Sequence, residues 1–72
     1  MKLYIVQGYS WEESYIAYVS RYKSKAIMTA KRLVANKKSQ HVWFSVIKVD
    51  TDVEYNWEDH DSIWDEHDEL KN

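Results

Sequence analysis

Several residue types are rare or absent in this chain, and each absence narrows what the protein can be. There is no cysteine, which excludes disulfide bridges, thiolate metal sites and cysteine nucleophiles. There is no proline and only one glycine, which excludes proline-rich linkers and Gly-rich phosphate-binding loops. No apolar run approaches the roughly 18 residues of a transmembrane helix. We therefore expect a cytoplasmic protein that uses no cofactor.

Aromatic residues are what the chain has in abundance. Its 72 residues include four Trp, six Tyr and one Phe, and 44% of the residues are hydrophobic. A chain of this length buries only about 60% of its unfolded surface, so its stability is marginal without help. Each large aromatic side chain removes roughly 150–250 Å² from water and supplies part of that help. The composition predicts a single folded domain over residues 1–72.

Hydrophobic periodicity predicts an α+β fold. Alternating or continuous runs of β-forming residues predict strands over Lys2–Gln7, Ser14–Ser20, His41–Val49 and residues 53–57. A stripe at helical spacing predicts a helix over Ser24–Asn36, with its apolar side formed by Ala26, Ile27, Ala30, Leu33 and Val34. The expected order is β-β-α-β-β, an antiparallel sheet with the helix packed on one face.

The ends of these elements carry their own expectations. Gly8 follows the first strand, where a bend needs conformational freedom. Ser24 is expected to cap the helix N-terminus, and Asn36 is expected just past its C-terminus. From about Asp59 the spacing changes to that of a short acidic helix, with its stripe formed by Ile63, Trp64, His67 and Leu70.

The third predicted strand is apolar on both faces. Val42, Phe44 and Val46 alternate with a second apolar set, Trp43, Ile47 and Val49. A strand of this kind is usually covered on both sides, and one helix covers one side only. Two alternatives remain for the second face: the C-terminal segment of the same chain, or a homodimer that buries Trp43 and Ile47.

Catalysis and metal binding find little support in the sequence. No phosphate-binding loop, nucleophile motif or acyl-transfer constellation is present, so we expect a protein that is not an enzyme. His60 and His67 would share one face of a helix. Seven residues of helix span about 10.5 Å, which is too far for both imidazoles to reach one ion. We expect no metal site.

Charge is divided along the chain. Residues 1–49 hold nine Lys and Arg against Glu12 and Glu13, for a net charge of +7, whereas residues 50–72 hold ten Asp and Glu against Lys71, for −9. Blocks of one sign usually mark interaction surfaces or solvated segments. The acidic block also contains Trp57 and Trp64, and aromatic anchors inside a charged rim are typical of binding hot spots.

Each block has more than one interpretation. The acidic block can be a solvated surface, a counter-charge for the chain's own basic helix, or a surface that occupies a basic groove on a partner. In the third case the residues expected to bind are Glu58, Asp59, Asp61, Trp64, Asp65 and Glu66. The basic stretch is either an ordinary solvated helix face or a nucleic-acid contact, for which the expected residues are Lys25, Lys31, Arg32 and Lys38.

The segment Ser24–Asp50, together with the two strands that precede it, also carries a resemblance in layout. It resembles the small phage-encoded inhibitors in which one helix packs on an antiparallel sheet, among them compact anti-CRISPR proteins and an inhibitor of host RNA polymerase. The resemblance implies a non-enzymatic protein that binds a nucleic-acid-handling host complex and blocks it. It transfers no functional residue, because no motif is shared.

The leading hypothesis is therefore a phage-type inhibitor, in the host cytoplasm, whose acidic block occupies a basic groove of a host protein or ribonucleoprotein complex. The first alternative is a nucleic-acid-binding accessory protein that uses the basic helix face. The second is a structural homodimeric module. No membrane contact is expected, and direct binding to nucleic acid is not expected under the leading hypothesis, because the aromatic residues alternate with the strand residues rather than with the basic stretch.

Overall fold

The structure, a computed structural model, describes residues 1–51 and 61–67. The elements in these ranges are β1 (Lys2–Tyr9), β2 (Ser14–Ser20), α1 (Lys23–Asn36), β3 (Trp43–Asp50) and β4 (Asp61–Asp65). The four strands form one antiparallel sheet in the order β2-β1-β3-β4. The α+β class, with an antiparallel sheet and one helix, is confirmed. The strand predicted over residues 53–57 lies outside the described residues.

The core forms where α1 packs on one face of the sheet, here named the helix-side face. Its buried residues come from β1, β3 and α1: Val6, Ala26, Ala30, Phe44 and Val46. The two alanines are fully buried, and their small side chains let the helix backbone approach the strands closely. Ile27, Leu33 and Val34 are partly buried against this cluster. The predicted helical stripe is therefore confirmed.

The opposite side of the sheet is here named the open face. Strand β3 alternates as the sequence predicts, with Phe44 and Val46 in the core and Trp43, Ile47 and Val49 on the open face. Among the described residues no helix packs over this face. Ile47 is nonetheless only 8% exposed, because it lies on an inner strand between β1 and β4. The expectation that a C-terminal segment or a second subunit covers the open face stays a prediction.

The two ends of α1 differ from the predicted ones. Ser24 does not cap the helix, which begins at Lys23 after the extended residue Tyr22 and has no side-chain cap. Instead, the Ser20 hydroxyl accepts a hydrogen bond from the Tyr22 amide at 3.0 Å, in the short link between β2 and α1. At the other end Asn36 is the last helical residue, and Lys37 continues as extended chain with φ −68° rather than in the left-handed region.

Gly8 lies inside β1 and is not the site of a bend. No described residue has positive φ, so conformational freedom is not the reason for glycine here. Gly8 pairs with Tyr15 across the β1–β2 hairpin. A Cβ atom at position 8 would lie 2.5 Å from Cζ of the Tyr15 ring. Glycine therefore makes room for the ring of its cross-strand neighbour.

The acidic helix predicted from about Asp59 is wrong over Asp61–Asp65, which form β4. Strand β4 pairs with β3, and a bulge leaves Ile63 without an opposite residue while Trp64 pairs with Val46. The bulge brings the consecutive residues Ile63 and Trp64 against the same core, which is why their spacing resembled that of a helix. Glu66 and His67 then turn into helical conformation. In the described ranges no helix has the length and apolarity needed to cross a bilayer.

Candidate functional site

Among the described residues, those predicted to bind a partner through the acidic block do not share one surface. Glu58 and Asp59 lie outside the described residues. Asp61 opens β4, where its backbone pairs with Lys48. Trp64 is partly buried against the core on the helix-side face. Asp65 pairs with Ser45 and lies on the open face, so these neighbours point to opposite sides of the sheet.

Glu66 is buried and joins three parts of the fold. Only 4% of the surface of Glu66 is exposed to solvent. One carboxylate oxygen accepts a hydrogen bond from the Lys37 ammonium group. The other accepts a hydrogen bond from the Phe44 amide at 3.1 Å. The same ammonium group also donates to the Val42 carbonyl at 2.8 Å. Glu66 therefore stabilises the contact between the end of β4 and the link from α1 to β3, and it is not part of an exposed acidic surface.

Of the basic residues predicted to bind nucleic acid, Lys25 and Arg32 come together and the other two lie elsewhere. Lys25 and Arg32 are seven residues apart on α1 and line one groove. Lys31 is exposed but does not line this groove, and Lys38 lies beyond the end of the helix. The predicted set of four is thus two neighbouring cations plus two separate ones.

This groove, here named the basic groove, lies between α1 and the edge strand β2. It has a volume of about 370 Å³ and is lined by Tyr18, Lys25, Met28, Thr29 and Arg32. Among the described residues that line it, none is acidic. The Met28 side chain is 65% exposed and the Tyr18 side chain 37% exposed, so both offer apolar surface to a ligand. The Lys25 ammonium group lies 5.2 Å from the centre of the Tyr22 ring, close enough for a cation–π interaction.

A second feature, here named the aromatic cluster, lies at one end of the sheet where four segments meet. It comprises Tyr9, Trp11, His41, Trp43 and His67. Neighbouring rings lie 5.1–6.2 Å apart between centroids and are tilted against one another. They come from the end of β1, the β1–β2 turn, the start of β3 and the residues around β4. Each ring contacts at least one other, so the five rings form one continuous cluster.

Asp65 ties β4 to this cluster. The Tyr9 hydroxyl lies 3.3 Å and 3.4 Å from the two Asp65 carboxylate oxygens and 3.0 Å from Nδ1 of His67. Asp65 also accepts the His67 amide at 2.8 Å. These hydrogen bonds fix the positions of the Tyr9 and His67 rings. Asp65, predicted to bind a partner, is therefore engaged within the cluster.

The β1–β2 turn presents Trp11 without the usual glycine. The Ser10 hydroxyl accepts the amides of Glu12 at 3.4 Å and Glu13 at 3.2 Å, and the Ser10 amide donates to the Glu13 carbonyl at 2.7 Å. The Ser10 side chain thereby satisfies backbone amides of the turn, as serine side chains do in turns of this kind. Trp11, between these anchors, is 84% exposed.

No candidate metal centre is found on either surface among the described residues. In residues 1–51 and 61–67 no group of three or more His, Cys, Asp or Glu residues is arranged to hold an ion. His41 and His67 contact aromatic rings instead. His60, the other histidine considered from the sequence, lies outside the described residues.

Comparison with known proteins adds no family to this geometry. The chain matches no protein-family model, no curated protein and no solved structure. The resemblance in layout to small phage inhibitors therefore stays a prediction.

Sequence reasoning missed the aromatic components of both surfaces. Tyr18 belongs to a strand, far in sequence from the cations that it faces across the groove. A helical-wheel reading that placed Lys25, Met28 and Arg32 on one side of α1 would have found part of the groove. For the aromatic cluster, the exposed Trp11 in a polar turn was the available signal.

Proposed function

We propose that the protein is a non-catalytic nucleic-acid-binding protein whose ligand, a single-stranded DNA or RNA, lies in the basic groove. The observation that carries this proposal is the pairing of two cations with exposed apolar surface in one groove. Lys25 and Arg32 contact the phosphates, whereas Tyr18 and Met28 contact an unpaired base. A duplex hides its base faces, so the apolar half of the groove favours a single strand.

The charge distribution around the groove supports the same ligand. Arg21 and Lys23 are exposed in the link and first turn that lead into α1, close in sequence to Lys25. No acidic residue occurs between Ser14 and Val49. The groove therefore lies in the part of the chain that attracts phosphates, even though the whole chain has a net charge of −2.

The residues in the groove also support binding rather than catalysis. Its described lining offers a phenol, a hydroxyl, a thioether and two cations, with neither a carboxylate nor an imidazole. A general acid–base pair needs groups that exchange protons near neutral pH. The groove suits recognition of an anionic polymer.

Fluorescence anisotropy with a labelled 12-nucleotide single strand tests the proposal. The double variant Lys25→Gln/Arg32→Gln should lower the affinity about tenfold or more and reduce the salt dependence, since about two phosphate contacts are lost. The matched control Lys2→Gln/Lys38→Gln removes the same charge away from the groove and should bind almost as well as the wild type. A duplex of the same length should bind more weakly than the single strand.

Two results would overturn the proposal. Equal losses in the two double variants would mean that only overall charge matters and that the groove is not the site. Unchanged binding in Tyr18→Ser, with a duplex bound as tightly as the single strand, would remove the role of the unpaired base. The leading sequence-based hypothesis, an acidic block that occupies a partner's basic groove, stays a prediction, since Glu58 and Asp59 are outside the described residues.

A further inference from the structure

The most exposed large apolar side chain among the described residues is Trp11, and nothing in the proposed nucleic-acid site uses it. It is 84% exposed at the tip of the β1–β2 turn. Solvent exposure of an indole is unfavourable, and an isolated exposed aromatic residue needs no explanation by itself. Trp11, however, belongs to a cluster of rings and borders a cleft. These two additional observations call for a functional account.

The cleft beside Trp11 has a defined composition. Ser10, Trp11, Glu12 and His41 line it, and its volume is about 210 Å³. The Trp11 and His41 rings lie 6.1 Å apart between centroids at an angle of 58°, so they form two inclined walls. Glu12 adds a carboxylate at the rim, and no Lys or Arg is among the described lining residues. The cleft thus combines aromatic faces with one negative charge.

The walls are held in place by hydrogen bonds on both sides. The Ser10 hydroxyl fixes the turn that carries Trp11 and Glu12, as described above. On the opposite wall the Ser39 hydroxyl accepts the His41 amide at 3.1 Å. Behind Trp11, the Trp43 ring lies at 6.1 Å and in turn contacts Tyr9 and His67. These hydrogen bonds order the backbone that carries the two rings, which lowers the entropy cost of binding a ligand.

We propose that this cleft, here named the Trp11 cleft, binds an arginine side chain of a basic partner protein. A guanidinium group is planar, stacks on an indole face and donates paired hydrogen bonds to a carboxylate. Trp11 provides the face and Glu12 the carboxylate. Glu13, exposed in the same turn, adds a second negative charge close by. Arginine meets all of these features, whereas a neutral sugar would stack on the ring and donate hydroxyl hydrogen bonds to the carboxylate but would lack the attraction between opposite charges.

We assign the arginine to a different protein, because a second copy of this chain offers only one exposed arginine, Arg21, outside the basic groove. This chain has only two arginines, Arg21 and Arg32, and Arg32 lines the basic groove. Proteins that handle nucleic acid are commonly rich in arginine and are therefore suitable partners. The inference does not depend on the basic groove, because it uses another part of the surface and another class of ligand.

Nuclear magnetic resonance of the tryptophan side chains tests the inference directly. The chain has four Trp residues and therefore four indole N–H signals. The signal that disappears in Trp11→Leu belongs to Trp11, and the remaining spectrum of that variant shows that it still folds. Titration of the blocked peptide Gly-Arg-Gly-Arg-Gly should shift the Trp11 signal. The same peptide with citrulline, the neutral isostere of arginine, should not.

Matched carboxylate variants locate the charge contact. Glu12→Gln should weaken arginine-peptide binding about fivefold, whereas Glu13→Gln, one residue away, should change it less than about twofold. Equal effects of the two variants would reduce the interaction to general attraction and overturn the inference. So would an arginine peptide that shifts the other indole signals and leaves Trp11 unchanged.

Two other occupants give distinct outcomes. If methyl glucoside shifts the Trp11 signal and the arginine peptide does not, the cleft is a sugar site. If the Trp11 signal moves with protein concentration alone, the cleft is a contact between copies of this chain. Either result would overturn the assignment to arginine.

Discussion

The Glu66–Lys37 pair should make an unusually large contribution to stability for one carboxylate in so small a protein. The change Glu66→Ala removes the acceptor of the buried Phe44 amide and the counter-ion of Lys37 together. The Lys37 side chain is 20% exposed, so its ammonium group would be left largely, but not completely, without water. Both losses act in the same direction.

The expected magnitude follows from these contacts. Removing one partner of a buried ion pair lowers the free energy of unfolding by about 3–5 kcal/mol. Because Lys37 is partly exposed, we expect a value at the lower end of this range, about 3 kcal/mol. A domain of this size has a free energy of unfolding of about 4–11 kcal/mol. The variant would thus lose a large part of its stability. At an m-value of about 1 kcal/mol/M, the urea midpoint should fall by about 3 M.

Urea unfolding of three variants measures this contribution. Glu66→Gln keeps an acceptor for the Phe44 amide and should lie between the wild type and Glu66→Ala. Glu13→Ala, which removes an exposed carboxylate, should leave the midpoint close to that of the wild type. If Glu66→Ala and Glu13→Ala unfold at the same urea concentration, the buried pair does not stabilise the fold and this reasoning is refuted.

Two further predictions concern the core and the turn. Ala30→Leu should lower the free energy of unfolding by about 1–3 kcal/mol, because the fully buried Ala30 has no room for a larger side chain. The control Ala35→Leu, on the exposed side of α1, should melt at nearly the wild-type temperature. Equal melting temperatures of the two variants would mean that α1 is rotated. Ser10→Ala should cost about 1 kcal/mol and weaken the near-ultraviolet circular dichroism of the tryptophans, since the turn amides lose their acceptor; an unchanged spectrum would show that the Ser10 hydroxyl does not order Trp11.

Residues 14–50 could be predicted well from the sequence because their signals are local. Strand β2 has the predicted bounds, and α1 differs by one residue at its start. The alternation of β3 also gave the correct faces for Phe44 and Val46. Each of these patterns depends on one period that is repeated several times.

The C-terminal strand could not be predicted, because a bulge imitates a helical pattern. Ile63 and Trp64 are consecutive and contact the same core, an arrangement that regular strand alternation forbids. Glu66 was misjudged for a related reason: in sequence it is one acidic residue among many. Only the tertiary contact with Lys37 and the Phe44 amide distinguishes it.

The described members of the two predicted charged sets are dispersed for a geometric reason. A block of charge in the sequence consists of residues that are close together in the chain. Consecutive residues of a strand, however, lie on opposite faces of the sheet. Trp64 and Asp65 therefore separate, whereas Tyr18 and Arg32, distant in sequence, meet in one groove. The cations of the basic groove, Lys25 and Arg32, could be predicted from the sequence, whereas the contribution of Tyr18 could not.

The pairing of β1 with β3 has a consequence for how the chain reaches its folded state. Lys2 lies opposite Asp50, and the Met1 carbonyl accepts the Thr51 amide at 2.8 Å, so the earliest and the later residues of the sheet are neighbours. The β1–β2 hairpin and α1 form from local contacts, but β1 cannot complete its central position before residues 43–50 have been synthesised. Contacts of this long range slow folding, because the chain between them loses its freedom before the contact is made. Until β3 pairs with β1, the apolar surface of the β1–β2 hairpin stays exposed, and exposed apolar surface of this kind favours aggregation.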